Sequence, residues 1–394
     1  MIQMLLLDEI CNAFSVIIDL AGERTYEHSK RTAYIGARLG ELLGASTEAC
    51  FFGGLLHDIG ASGELNIYGL RDIHSQRQLI YDHAEIGANI LSDLPYLKSL
   101  SNIIKFHHEH YNGTGPFKLK HHEIPLESKI INLADHLDLL LNGKNVSINL
   151  RSEIFDWVLY NSGKIICPKV KDAFFEIAKA EQFWLDLDAR NLDYSLNRVK
   201  PKPVYISFTD FEKMAKAFSR IIDIKSKFTH QHSLNLHLLS HQVATFLGYD
   251  ELKTKKISIA AYLHDIGKVM VPSSILEKPT SLTPKEYAIM RQHSYYTKKI
   301  LQQINGLEDI AQWAGNHHEK LNGTGYPEGL TALSEEEQLI AIADIYAALI
   351  EDRPYRKNMS HQQAVQILKS MVSRGEFDQD IFSKFHNIIA EKTA

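Results

Sequence analysis

Cysteine is scarce: three occur among 394 residues, at positions 11, 50 and 167, and they have neither zinc-site nor disulfide spacing. Cys11, Cys50 and Cys167 therefore read as buried apolar side chains, in a chain suited to a reducing cytoplasm. Lys/Arg runs are absent and the formal net charge is −5, so there is no electrostatic footprint for duplex nucleic acid. No apolar run approaches the roughly 20 residues that span a bilayer, which argues against a membrane-embedded role. The apolar start, Met1 to Leu7, lacks a basic flank and is interrupted by Asp8 and Glu9. It reads as the opening of an amphipathic helix, not a signal peptide. Strand-like alternation is rare, and neither a low-complexity tract nor a receiver-like α/β segment is present.

What is present is helical and duplicated. Apolar content of 44% with 23% charged residues is that of a globular protein. Ile35, Leu39, Leu42 and Leu43 share one helical face, as do Leu234, Leu238, Phe246 and Leu247. Ala13-Phe14-Ser15 returns as Ala217-Phe218-Ser219, and His28-Ser29 as His232-Ser233, both at an offset of 204 residues. Leu56-His57-Asp58-Ile59-Gly60 returns as Leu263-His264-Asp265-Ile266-Gly267, His83 as His293, His107-His108-Glu109 as His317-His318-Glu319, and Asp135 as Asp344. Gly44 and Gly248 follow the first histidine of each copy and are expected to cap helices at their C-termini.

Two homologous all-α bundles are expected: residues 1–195, a linker at 196–205 around Lys200-Pro201-Lys202-Pro203, which no helix can traverse, and residues 206–394. The Phe- and Trp-rich stretch from Phe174 to Leu187 is expected to be helical and to pack between them.

His232, His264, Asp265, His293, His317, His318 and Asp344 offer five imidazoles and two carboxylates, a donor set suited to Fe, Mn, Zn or Ni. Seven ligands are too many for one tetrahedral ion and suit two ions sharing a carboxylate. Any one histidine is usually a core or surface residue. His230, His237, His241, His361 and His386 have no partner in the other copy and receive no role. Retention of the whole set in register across a diverged duplication is what singles it out.

These residues resemble the HD superfamily of metal-dependent phosphohydrolases. Leu263 to Lys268 looks like its HD signature. His317-His318-Glu319 through Gly325-Tyr326-Pro327-Glu328-Gly329 is similar to the signature of the HD-GYP subgroup. The resemblance covers most of residues 206–394, and both bundles would be of HD type. It implies a phosphodiesterase that hydrolyses cyclic di-GMP or 3′3′-cyclic GMP-AMP to a linear dinucleotide by attack of a metal-activated hydroxide. By the same resemblance, His232, His264 and Asp344 would hold one divalent ion and His293, His317 and His318 the other, with Asp265 bridging. Fe or Mn come first, with Ni and Zn as further candidates. Lys268 would contact the scissile phosphate, Gly325, Tyr326 and Pro327 would shape the pocket, and Arg353 and Arg356 would grip a phosphate bidentately. Two other readings stand beside it: a nucleotidase or phosphomonoesterase of HD type, and a sensor that binds a cyclic dinucleotide without turnover. A homodimer is compatible with any of them.

Departures from the family pattern shape the expectation. Phe228 stands where some members carry the Glu of a third metal site, so two metals are expected. Ala347 stands where many members carry an Asp three residues after the last ligand, which removes support from behind the ligands. The first half keeps a second ligand set, His28, His57, Asp58, His83, His107, His108 and Asp135, and should hold further metal. There Ala61 replaces the lysine and Pro116-Phe117 replaces Tyr-Pro, with no Arg-x-x-Arg after Asp135. A regulatory or weakly active first half and a hydrolytic second half follow, with an active site for another nucleotide as the rival view of the first half.

Overall fold

The structure, a computed structural model, describes residues 3–21, 27–61, 77–144, 146–225, 232–351 and 358–391. Phe228, Arg353 and Arg356 lie outside the described residues. The described residues are helical almost throughout, and their one sheet has two strands, Leu5–Leu6 antiparallel to Tyr205–Ile206. Contacts divide the chain into two units, Ile10–Val204 and Met1–Glu9 with Tyr205–Ala394. Leu5 and Leu6 therefore form a strand before the helix Leu7–Ala21 begins. A helix Leu192–Val199 occupies part of the stretch read as linker, and it stops just before the Pro201 and Pro203 pair.

In the Ile10–Val204 unit, the helices His28–Leu43, Thr47–Leu56, Arg77–Ser92 and Leu126–Leu141 carry or flank the ligand set. Gly44 adopts the left-handed conformation at φ 67° and closes the first of these, donating its N–H to Glu41. The aromatic stretch forms two helices, Pro168–Ile177 and Glu181–Asp186. Its rings find partners in their own unit, where sequence reading had put them at a junction. Phe183 stacks 6.3 Å from Tyr34 and Trp184 meets Phe155 at 6.0 Å. The Trp184 indole donates to the Ala178 carbonyl at 2.9 Å, so the buried N–H is satisfied.

The other unit repeats this scaffold with the helices His232–Phe246, Glu251–Leu263, Gln292–Leu301 and Glu335–Ile350. Gly248, at φ 72°, ends the first of them as expected. A core of Leu236, Val243, Leu368 and Phe385, all nearly inaccessible, includes Ile342 of the helix Glu335–Ile350.

One glycine in each copy decides whether the ligands can meet. A Cβ on Gly267 would lie 2.0 Å from the His293 carbonyl oxygen, and one on Gly60 would lie 2.1 Å from that of His83. Only glycine lets the turn after the His-Asp pair approach the helix bearing the next histidine so closely. Thr297 pins the same contact, accepting from the Gly267 N–H at 3.0 Å and donating to the His264 carbonyl at 2.9 Å. Gly267→Ala should destabilise the metal-free protein by about 1–3 kcal/mol, the usual range for overpacking, as read from denaturant unfolding. Gly248→Ala, where a Cβ meets nothing within 4 Å, should lose about 1–2 kcal/mol from left-handed strain alone.

Candidate metal centres

The His-Asp and His-His pairs follow helix C-termini. His264 caps the helix Glu251–Leu263, and Asp265 opens the 3-10 turn Ile266–Met270. His317 and His318 come just after the helix Glu308–Gly315 and its cap Asn316. The last carbonyls of a helix have no partner within it, and here they take histidine N–H groups. His264 Nδ1 meets Ala261 O at 2.8 Å, His317 Nδ1 meets Ala314 O at 2.6 Å, and His293 Nδ1 meets Met290 O at 2.6 Å. The other copy does the same, with His57 Nδ1 on Gly54 O at 2.9 Å and His107 Nδ1 on Ile104 O at 2.6 Å. A carbonyl only accepts, so each Nδ1 carries the proton and each Nε2 presents a lone pair to the interior.

Those lone pairs converge. His293, His317 and His318 form one group and His232, His264 and Asp344 another, each with ligand atoms within 4.8 Å of one another. Asp265 lies between the groups. Its Oδ2 is 3.1 Å from His264, and its Oδ1 is 3.4 Å from His293 and 4.0 Å from His317. His232 Nε2 is 2.9 Å from Asp344 Oδ1.

In the other unit, His28, His57 and Asp135 form one group and Asp58, His83, His107 and His108 a second. His28 Nε2 faces His57 Nε2 at 3.0 Å, and the buried His107 Nε2 has no hydrogen-bond partner. Lone pairs held face to face in a dry interior repel, and a cation between them removes the repulsion. Imidazoles and ionised carboxylates of this kind fit divalent Fe, Mn, Zn or Ni.

The titration behaviour follows from the same crowding. Burial pushes His293 down to about 4 and His318 to about 3, with the His293 imidazole adding to the effect for His318. Burial likewise lowers His107 to about 3 and holds His317 well below the usual range. These rings are neutral and ready to ligate at physiological pH. His232 and His57 go the other way. Burial opposes their protonation, but Asp344 and Glu351 lift His232 to about 9, and Asp58 and Asp135 lift His57 to about 9. Burial opposes ionisation of Asp265, yet His264 and Lys268 hold its carboxyl well below the ordinary value.

Lys268 contacts the Asp265 carboxylate directly. Beside the ligands lies a cavity of about 260 Å³ lined by Tyr287, His318, Gly325, Tyr326 and Ile345. The Tyr326 ring lies 4.7 Å from the His318 ring, and the Tyr326-Pro327 peptide is cis. Glu319, fully buried, accepts from the N–H groups of Glu328, Gly329 and Leu330 at 2.6–3.1 Å and so ties the loop down. Glu109 does the same for Phe117 and Leu119. Gly325 is needed because a Cβ there would meet Glu319 Cα at 2.5 Å.

Three contributors escaped sequence reading. Arg291 lies over the Tyr326 ring at 4.7 Å, and no spacing signal marks it. Glu351 and Asn235 stand behind His232, where only the fold brings them together.

Comparison with known proteins finds an HD domain in each half of the chain. HD-domain family models match residues 25–140 and 216–381. The 3′3′-cGAMP-specific phosphodiesterase 1 of Vibrio cholerae is 29% identical over 383 residues, covering 93% of this chain and 88% of that protein. The 3′3′-cGAMP-specific phosphodiesterase 3 of the same organism is 30% identical over 74% of this chain, which spans 64% of its length. A cyclic di-GMP phosphodiesterase of Thermotoga maritima is 34% identical over 42% of this chain and 47% of its own. The crystal structure of a cyclic GMP-AMP phosphodiesterase of V. cholerae superposes with a TM-score of 0.71 at 25% identity over 98% of both chains.

If each unit holds its own metal, the losses should be independent. His317→Ala/His318→Ala should strip metal from one unit and His107→Ala/His108→Ala from the other. Metal analysis of dialysed, Mn(II)-loaded protein should give additive losses in the combined variant. A double variant that loses all metal would mean a single shared site.

Proposed function

The chain belongs to the HD-GYP family of HD-domain phosphodiesterases, and on that footing we propose that it opens a cyclic dinucleotide to a linear one. The substrates put forward are 3′3′-cyclic GMP-AMP, after the two Vibrio relatives that align over most of this chain, and cyclic di-GMP. The observation that carries the reading is the pair of three-ligand groups with Asp265 between them, beside a cavity walled by Tyr326. Divalent ions held there would supply Lewis acidity for activating water and for offsetting charge on the phosphoryl oxygens.

The remaining work falls to the side chains. One phosphodiester of the ring would sit at the mouth of the two groups, where water adds to phosphorus and a ribose oxygen leaves. Lys268, beside Asp265, brings a cation to the point where negative charge grows. Tyr326, with Tyr287 edge-on at 6.4 Å and Arg291 over its ring, walls the cavity in which a purine base would sit. Burial and the neighbouring Tyr287 raise the Tyr326 hydroxyl well above its ordinary value, so it serves as a neutral hydrogen-bonding group.

In the Ile10–Val204 unit the ligand groups are present but Ala61 stands where Lys268 does, and Pro116-Phe117 where Tyr326-Pro327 does. That supports metal binding with weak or no turnover, and a regulatory part for this unit. No described helix is long and apolar enough to cross a membrane. A cytoplasmic setting belongs to the same proposal, supported by the buried thiols of Cys50 and Cys167.

The test is incubation of Mn(II)- or Fe(II)-loaded protein with 3′3′-cyclic GMP-AMP and with cyclic di-GMP, with products resolved by chromatography. Linear dinucleotide is expected from at least one substrate, and His264→Ala/Asp265→Ala should abolish it. Lys268→Ala should lower kcat by roughly 10²–10³, the usual loss for removing one group that stabilises transition-state charge. Metal-loaded protein that cleaves neither substrate would sink the proposal and leave the nucleotidase and sensor readings.

A further inference from the structure

Five of the ligand histidines named above anchor Nδ1 on a carbonyl at a helix C-terminus. His28 and His232 cannot, because each is the first residue of its helix, where the backbone offers donors and no free acceptors. Some side chain must take their Nδ1–H, or the ring is free to rotate and to adopt the wrong tautomer.

The Ile10–Val204 unit solves this with Asp138, three residues after Asp135. His28 Nδ1 is 2.6 Å from Asp138 Oδ2, and Arg31, one turn on from His28, holds Oδ1. The corresponding positions in the other unit are Ala347 and Asn235, so both polar partners of that arrangement are gone. By position alone, support behind the ligands is lost. The fold restores it from one turn further along the same helix. Glu351, at the C-cap of the helix Glu335–Ile350, places Oε2 2.9 Å from His232 Nδ1 and Oε1 2.7 Å from Asn235 Nδ2. Positions 347 and 351 lie on one helical face, and the longer Glu side chain spans the added turn.

We propose that Glu351, held by Asn235, is the positioning residue that sets the tautomer and direction of His232 toward its metal, in place of the missing carboxylate at position 347. The two units thus build one device, histidine to carboxylate to a donor three residues past the histidine, from different residues. Removing a carboxylate behind a ligating histidine typically lowers metal affinity 10–100-fold.

The inference rests on His232 being a ligand, as proposed above, so the test reads metal binding and not turnover. Mn(II) affinity of the full-length chain is measured by competition with a chromophoric chelator, with His232→Ala as reference. Glu351→Ala should weaken the tightest binding attributable to this unit by 10–100-fold, and Glu351→Gln, which keeps an acceptor but not the charge, by less. Both variants should still unfold cooperatively when metal-free, with the stability lowered where His232 loses its charged partner. Ala347→Asp combined with Glu351→Ala and Asn235→Arg, which copies the other unit, should restore most of the affinity. Glu351→Ala binding within twofold of wild type, while His232→Ala binds weakly, would overturn the assignment. So would a folded triple variant that recovers nothing. If His232→Ala also binds as wild type does, the ligand assignment itself fails, whatever the chain does to cyclic dinucleotides.

Discussion

The hydrogen bond from a histidine Nδ1 to a spent helix carbonyl is the interaction on which both centres depend. A helix C-terminus offers acceptors that nothing inside the helix can satisfy, and a histidine placed three residues past such a carbonyl satisfies one of them. The bond fixes the ring and leaves Nε2 as a lone-pair donor pointing away from the helix end. Several helix ends directed at one point therefore gather imidazoles without any ring being free to turn. The fold is arranged to bring those ends together, and Gly60 and Gly267 are small because the segments bearing the histidines must nearly touch.

That arrangement carries an electrostatic demand. Imidazole lone pairs 3.0 and 3.4 Å apart in a dry interior need positive charge between them. Without a metal, the raised affinity of His57 and His232 for a proton supplies some of it. The scaffold is accordingly a poor apolar core and a good cation site, and its stability and metal occupancy are linked. The loops bearing Tyr326 and Phe117 are held by the same device, a buried glutamate accepting from successive backbone N–H groups. The two pockets differ in what lines them and not in how their loops are anchored.

Duplication makes the divergence readable. Both units keep the seven candidate ligands, the glycine of the close approach and the glutamate under the loop. They part at the groups that would touch a substrate: Lys268 against Ala61, Tyr326-Pro327 against Pro116-Phe117. They part again behind one histidine, where Asp138 with Arg31 in one unit becomes Glu351 with Asn235 in the other. The first divergence bears on chemistry. The second changes residues while preserving a function, which an alignment of positions alone reads as loss.

Helical class, duplication, the capping glycines and the His/Asp sets that each unit gathers were legible in the sequence, because they depend on periodicity and on residue types recurring in register. The sequence could also set Lys268 and Tyr326 apart from their replacements in the other half, since each sits inside a recurring motif. Other features depended on three-dimensional geometry. The strand at Leu5–Leu6 needs Tyr205–Ile206 as its partner, and local apolar character alone reads as helix. The ring partners of Trp184 are set by packing, and the contact of Arg291 with Tyr326 by two segments that no pattern links. Glu351 is the clearest case. Its side chain reaches His232 only because the helix Glu335–Ile350 lies across the start of the helix His232–Phe246, a relation between elements 119 residues apart in sequence. Sequence determined which atoms can bind a metal; tertiary structure decided which groups aim them, because aim depends on helix ends meeting in space.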